Sequence, residues 1–330
     1  MSSRQQLLIS RDKLLGMLRK MIEIRMFEER VEKLYREGRI LGPTHLYIGQ
    51  EGVAVGVIEA LEKDDVIIST YRGHGHGIAR GLPMKAVLGE ILGKAVGTCK
   101  GLGGSMHAPI SAELGIPLAT AIVGSGIPIA VGVGLAFKYR ESKNVAVAFF
   151  GDGAVNTGAF HEALNLAAAW KLPVLFVCEN NLYAMTTPLK SVFAGESIMA
   201  RAACYGMPAY TALGNDVIEV YETTLKALDK IRSGGGPAFI ECRTYRFKGH
   251  GAYDLGTGYR PREEIEEWLR RDPINMLVEK MKSAGLLQDE EKKTIEADVA
   301  RQLDVIVDEV LNSSVYEYEK LSSLVYSTPV

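Results

Sequence analysis

Val145-Ala146-Val147-Ala148-Phe149-Phe150-Gly151-Asp152-Gly153, followed by Pro173-Val174-Leu175-Phe176-Val177-Cys178-Glu179-Asn180-Asn181, decides the fold of this chain. Each stretch is a short apolar run closed by small and polar residues, the pattern of a buried strand. Between them Phe160, Leu164, Leu166 and Ala167 recur at roughly helical spacing, which predicts a helix over Gly158 to Lys171. A strand–helix–strand unit of this length is a right-handed crossover, and its two strands lie parallel in one sheet. Asp152 and Asn181 then emerge together on the carboxyl edge, where open α/β sheets bind ligands. A carboxylate, an amide oxygen and nearby backbone carbonyls suit a hard cation such as Mg²⁺, which keeps positions free for water or a phosphate oxygen. Gly-Asp-Gly and Asn-Asn are each ordinary turn signals, so it is the pairing on two strand ends that carries information.

That arrangement resembles the thiamine diphosphate motif, Gly-Asp-Gly followed about thirty residues later by Asn-Asn. Four further stretches stand in the order seen in one family. They are His45-Leu46-Tyr47-Ile48-Gly49-Gln50-Glu51, Tyr71-Arg72-Gly73-His74-Gly75, Lys100-Gly101-Leu102-Gly103-Gly104-Ser105-Met106-His107 and Thr244-Tyr245-Arg246-Phe247-Lys248-Gly249-His250. With them the chain resembles the alpha subunit of the decarboxylating component of 2-oxo acid dehydrogenase complexes, from the first helix to about residue 280. That family includes pyruvate, branched-chain 2-oxo acid and acetoin dehydrogenases. Segments Gly73 to Gly81 and Trp170 to Met185 are most similar to pyruvate- and acetoin-type members.

The resemblance implies roles residue by residue. Asp152 and Asn181, with the Tyr183 carbonyl, correspond to Mg²⁺ ligands; Tyr71, Arg72 and His250 to contacts of the thiamine diphosphate tail. A fixed guanidinium suits oxyanions, and Gly153 and Ala154 offer backbone N–H groups beside a helix start. Met185 corresponds to the apolar prop that keeps the cofactor bent, and Ala121 and Val123 to backbone contacts of its aminopyrimidine. The family often has Gly-Asn-Gly where this chain has Ala119-Thr120-Ala121, so a contact through Ala121 requires a negative φ. His45 and His250 match positions at the reaction centre, with His250 expected to assist proton steps as an imidazole titrating near working pH. His74 and His107 match motif positions with a structural role equally open, His74-Gly75-His76 lacks a third ligand for a metal, and His161 reads as a packed or solvated helix residue.

The resemblance further implies an enzyme that decarboxylates a 2-oxo acid and passes the acyl group to the lipoyl arm of an acyltransferase core. It implies a beta subunit in an assembly of two alpha and two beta chains, because the glutamate that activates the aminopyrimidine belongs to the beta chain. Neither Glu51 nor Glu179 matches that position. Acetoin cleavage by the same cofactor is the alternative. A nicotinamide-binding Rossmann reading rests on Gly124-Ser125-Gly126-Ile127-Pro128-Ile129, where Ile129 stands in the place that close packing reserves for Gly or Ala. Mitochondrial members carry regulatory serines where this chain has Gly251 and Gly258, so no serine-phosphorylation switch is expected there.

The fold expected is a doubly wound parallel α/β sheet with a helical C-terminal extension, divided as 1–40, 41–260 and 261–330. A net charge of −2 gives no surface for nucleic acid or anionic membrane, and no apolar run reaches the length of a membrane span. The four cysteines show no Cys-x-x-Cys spacing, which fits a reducing, cytoplasmic setting. Met1 to Arg25 is basic and amphipathic like a transit peptide, but its apolar spacing runs on into Val31 and Leu34, as in an internal helix. Tyr316, Tyr318, Leu321, Leu324, Val325 and Tyr326 form an apolar tail open to packing on a partner or on its own core.

Overall fold

The computed structural model describes residues 9–195 and 197–325. In chain order its elements are α1 (Arg11–Arg36), α2 (Glu51–Ile58), β1 (Val66–Thr70), α3 (His74–Ala79), α4 (Met84–Ile91), β2 (Leu118–Thr120), α5 (Gly126–Tyr139), β3 (Ala146–Gly151), α6 (Gly158–Ala169) and β4 (Val174–Asn180). A two-residue hairpin follows, β5 (Tyr183–Ala184) and β6 (Thr187–Pro188), then α7 (Ile198–Ala203), β7 (Ala209–Leu213), α8 (Val217–Lys230) and β8 (Ala238–Arg243). The chain continues through α9 (Arg262–Leu269), α10 (Pro273–Ser283), α11 (Asp289–Leu311) and α12 (Ser322–Val325).

Six strands form one sheet in the order β2-β1-β3-β4-β8-β7, and every pairing is parallel. Alternation of side chains divides its contents between two cores. Val147, Phe149, Leu175 and Val177 join the cluster under α1, α2 and α8, whereas Ala148, Phe150, Phe176 and Cys178 join the one under α5 and α6. Both faces are thus covered, which is why β3 and β4 read as unbroken apolar runs. The doubly wound sheet expected from the sequence is present.

The terminal helices pack on the first of these cores. Val299, Leu303 and Val310 of α11 and Leu277 and Met281 of α10 share it with Leu14, Leu18 and Phe27 of α1. A fully buried side chain of this kind contributes about 1.5–3 kcal/mol. The first helix is described from Arg11 on; the residues before Ile9 lie outside the described part, as does Tyr326. In the tail Tyr318 is 81% exposed, so it does not fold back onto the core.

Among the elements that escape the sequence pattern are β2, with three residues, α7, with six, and the edge strand β7. A fourth differs in kind. The Tyr71–Gly77 stretch reads as a loop, yet α3 begins inside it at His74. Its glycines disfavour a helix by propensity, but the whole segment is buried, and a Cβ at Gly75 would stand 2.4 Å from Tyr47 Cδ1. Close packing, not intrinsic preference, sets this helix.

Candidate active site

Register places the two key residues side by side. Phe150 pairs with Cys178 and Gly151 with Glu179 across β3 and β4, so Asp152 and Asn181 leave adjacent strand ends in the same direction. Tyr71 and Arg72 follow β1, and Ala121 and Val123 follow β2. After β1 the chain steps out to β2 and returns to the far side of β1 at β3. The crevice outside such a reversal is where open α/β sheets hold ligands.

A cavity of about 350 Å³ opens there. His45, Tyr71, Arg72, Ala121, Val123, Asp152, Gly153, Ala154, Asn181, Tyr183, Met185 and His250 all line it, so the structure gathers every site residue expected from the sequence. A larger cleft, about 980 Å³, lies beyond Tyr183 between β7, β8 and α9. Its carboxylates are already engaged: Glu241 accepts from Asn180 and from the Met199 N–H, and Glu264 from Tyr245. The smaller cavity is the chemically equipped one.

Asp152 is 1% exposed, and its Oδ2 has no hydrogen-bond partner. Burial pushes its carboxyl up to about 6, partly offset by backbone N–H groups and the Arg246 charge. A buried carboxylate oxygen without a partner is costly unless a cation meets it. Asn181 gives its Nδ2–H to Gln50 Oε1 at 2.9 Å, while its Oδ1 takes only a long bond from the Tyr183 N–H, 3.4 Å. Gly153 faces Ala184 so closely that an added Cβ would lie 2.8 Å from the Ala184 Cβ. These donors suit a hard divalent cation.

Arg72 is 5% exposed and fixed by the carbonyls of Leu46 and His250, each at 2.7 Å. Arg246 donates to His250 Nδ1 at 2.9 Å and to the Met185 carbonyl at 2.8 Å, and its Nε is buried without a partner. A guanidinium only donates, so His250 Nδ1 accepts and the ring is the neutral Nε2–H tautomer. Burial, then Arg72, then Arg246 push His250 down to about 3; burial and Arg72 push His45 down to about 2. The sequence places an imidazole here that ordinarily titrates near working pH; with both guanidiniums facing the open cavity, burial and their charge hold it neutral. The rings of His45, Tyr71 and His250 form a cluster, with centroids 4.6 Å (His45–Tyr71) and 4.8 Å (His45–His250) apart.

Met185 is 57% exposed and has φ +55°, a left-handed value for a side-chain-bearing residue. Its carbonyl is pinned by Arg246, so the strain is held in place by the site itself. Ala121 is not among the residues with positive φ, which satisfies the condition on a backbone contact there. The other four histidines are hydrogen-bonded within the chain. His74 bridges Glu28 and Ser105, His76 sits between Ser69 and Glu179, His107 meets the Ala119 carbonyl, and His161 meets Tyr205. No group of three or more metal-binding side chains occurs among the described residues.

Sequence reasoning passed over Gln50, Arg246 and Glu179, which also line the cavity. Each lies inside a stretch already singled out, two to five positions from a residue that was chosen. The available signal was a long polar side chain within a motif otherwise apolar or glycine-rich.

Residues 19–318 match the family described as dehydrogenase E1 component. The chain is 46% identical over 298 residues to the alpha subunit of the acetoin:2,6-dichlorophenolindophenol oxidoreductase of Bacillus subtilis, covering 89% of each chain. It is 42% identical over 300 residues to the pyruvate dehydrogenase E1 component subunit alpha of Zymomonas mobilis, covering 90% of this chain and 84% of that one. A similar likeness, 40% over 291 residues, holds for the Rhizobium meliloti pyruvate dehydrogenase E1 alpha subunit, with 88% and 82% covered. With that match and these relatives, the chain belongs to the dehydrogenase E1 component family and stands among its alpha subunits.

Proposed function

We propose that this chain is the alpha subunit of a thiamine diphosphate- and Mg²⁺-dependent enzyme that decarboxylates a 2-oxo acid, pyruvate or a branched-chain one, and delivers the acyl group to a lipoyl-bearing acyltransferase. The observation that carries this reading is the buried, unpartnered Asp152 Oδ2 beside Asn181, on adjacent strand ends of one cavity. Asp152, Asn181 and the Tyr183 carbonyl would hold the cation. Arg72, Tyr71, His250 and the N–H groups of Gly153 and Ala154 would meet the diphosphate, and Ala121 and Val123 the aminopyrimidine. Bound thiamine diphosphate supplies the electron sink for decarboxylation; the protein's share is orientation and electrostatics.

The residues of this chain do definite work in that scheme. Arg72 and Arg246 place two buried positive charges where an anionic tail would lie, and both keep His250 neutral. His250 then offers Nε2–H as a hydrogen-bond donor. Met185, exposed at the cavity mouth, gives an apolar surface for a folded cofactor. His45, 4% exposed and neutral, stands against Tyr71 and His250 at the reaction centre.

The proposed assembly is two alpha and two beta chains, active only when the beta chain supplies an activating glutamate. Acetoin remains the second substrate reading, favoured by the Bacillus subtilis likeness and set against the pyruvate-type relatives. A cytoplasmic location fits the bacterial relatives, and no helix among the described residues is long and apolar enough to cross a membrane. The test co-expresses this chain with its beta partner and assays pyruvate, branched-chain 2-oxo acids and acetoin with thiamine diphosphate and Mg²⁺. Substantial activity from the lone chain would refute the split site, and a complex inert on all three substrates would refute the reaction.

A further inference from the structure

We infer that Gln50 is a positioning residue with two separable tasks: its Oε1 sets the orientation of the Asn181 amide, and its Nε2 donates to a diphosphate oxygen. This rests on the proposed cation–diphosphate reading of the cavity.

Gln50 precedes α2 and is 0% exposed. Its backbone N–H is fixed on the Tyr47 carbonyl at 3.1 Å. The preceding Gly49 has φ +101°, and a Cβ there would stand 2.3 Å from the Tyr245 carbonyl oxygen, so the chain before Gln50 is wedged against the segment after β8. Thr244 Oγ1 holds the Gly49 carbonyl from the same side, at 3.2 Å. The side chain therefore leaves a rigid support toward the cavity, which it lines.

At its end the two amide atoms differ. Oε1 accepts from Asn181 Nδ2 at 2.9 Å. An amide that gives its N–H to Gln50 turns its oxygen the other way, so this bond, the shorter of the two on the Asn181 amide, sets which of its atoms faces the cation position. A rotated Asn181 would present NH₂ to a cation, which repels it. Nε2 of Gln50 is buried and has no partner. Buried donors are almost always satisfied, and in a cavity walled by Arg72 and Arg246 the acceptor that fits is an oxyanion. A glutamine is the one side chain of this length that both accepts from Asn181 and donates to such an oxygen.

The test uses the assembled alpha–beta complex and two variants, Gln50→Glu and Gln50→Met, titrated by calorimetry. Mg²⁺ is titrated at saturating thiamine diphosphate, and thiamine diphosphate at saturating Mg²⁺. Partners that orient metal ligands are commonly worth about 10- to 100-fold in affinity, so Gln50→Met should weaken Mg²⁺ by that factor and the cofactor with it. Gln50→Glu retains an acceptor for Asn181 and loses the donor. It should keep Mg²⁺ affinity within about threefold while weakening thiamine diphosphate by about tenfold or more. Melting temperatures of the cofactor-free complexes serve as the folding control.

Native Mg²⁺ affinity in Gln50→Met, or an equal Mg²⁺ loss in both variants, overturns the role toward Asn181. Native cofactor affinity in Gln50→Glu overturns the role toward the diphosphate. If the unsubstituted complex binds neither Mg²⁺ nor thiamine diphosphate, it is the underlying reading of the cavity that falls.

Discussion

Glu90 should hold the glycine-rich loop Gly97–Gly104, which leads into Met106 of the cavity wall, and replacing it by glutamine should release that loop. The side chain is 0% exposed near the end of α4, and its two oxygens accept four backbone N–H groups. Oε2 takes those of Cys99 (2.7 Å) and Gly101 (2.9 Å); Oε1 takes those of Gly103 (2.6 Å) and Gly104 (3.2 Å). Gly97 is wedged against the same carboxylate, since a Cβ there would lie 2.4 Å from Glu90 Oε2. Glu90→Gln keeps the volume but turns one oxygen into an NH₂ that faces two N–H donors. Each hydrogen bond to a charged group contributes about 1.5–3 kcal/mol, so losing one oxygen's pair costs about 3–6 kcal/mol if the loop stays in place. Local opening, which returns those N–H groups to water, sets the upper limit of the measured loss, so the lower end of that range is expected. The opposing effect is desolvation: a neutral amide is easier to bury than a carboxylate, and where that dominates the variant is no less stable. Four donors on one carboxylate favour the first outcome. Hydrogen exchange of the Cys99, Gly101, Gly103 and Gly104 amides measures it directly, with protection expected to fall about 100-fold. Protection within tenfold of the native chain would refute the argument.

Other perturbations have defined outcomes. Asp152→Ala and Asn181→Ala should each abolish Mg²⁺-dependent binding of thiamine diphosphate by calorimetry, and Arg72→Lys should weaken it less than Arg72→Ala, because charge survives while the planar fork is lost. Arg246→Met removes the shorter of two guanidinium donors on His250 Nδ1 and leaves that of Arg72 at 3.4 Å, so nitrogen NMR of the native chain should show the Nε2–H tautomer alone and the variant a share of the Nδ1–H form; a native Nδ1–H tautomer would contradict the assignment. His45 and His250 are held neutral at about 2 and 3 against an ordinary 6.5. Their contribution is present above pH 6.5 and is lost as pH falls, because the unfolded chain takes up protons the fold refuses. Between pH 7.5 and 5.5 the cofactor-free complex should lose about 2–3 kcal/mol from the pair, read from urea midpoints, and His45→Gln should remove about half of that slope. Purified dehydrogenase kinase should leave the enzyme active, since Gly251 and Gly258 carry no hydroxyl; silencing through the 250–260 loop would overturn this.

The legible part of the fold was the part whose pattern is local. β3, β4 and β8 are covered on both faces and read as apolar runs, and α11 carries its own stripe with the acidic first turn of a helix start. The strand ends were therefore legible too, and with them the placement of Asp152 and Asn181. What stayed hidden depends on contacts far along the chain. α3 is helical because Tyr47 and Pro109 close around its glycines, which no propensity reports. β2, with three residues, gains its strand character from the neighbouring β1. The charge environment of His250 was hidden for the same reason: the guanidiniums of Arg72 and Arg246 arrive from segments separated from each other by most of the sheet.

The arrangement of charge connects the cavity with the neutral histidines that line it. Arg72 and Arg246 are each nearly fully buried, and both lower His250. Two guanidiniums this close repel one another as well, and burial with Arg72 beside it lowers Arg246 to about 10. Such a pair is unfavourable unless something anionic lies between the charges. Asp152 compensates Arg246 only in part, since burial raises its own carboxyl and thereby favours the neutral form. In the proposed scheme a divalent cation and a diphosphate together would resolve both defects, the cation meeting Asp152 and the oxyanion meeting the guanidiniums. Neither partner does so alone: the cation by itself adds positive charge to a positive wall, and the oxyanion by itself faces an uncompensated carboxylate. Binding of the two should therefore be mutually dependent, a consequence of where four side chains are buried and not of any one contact.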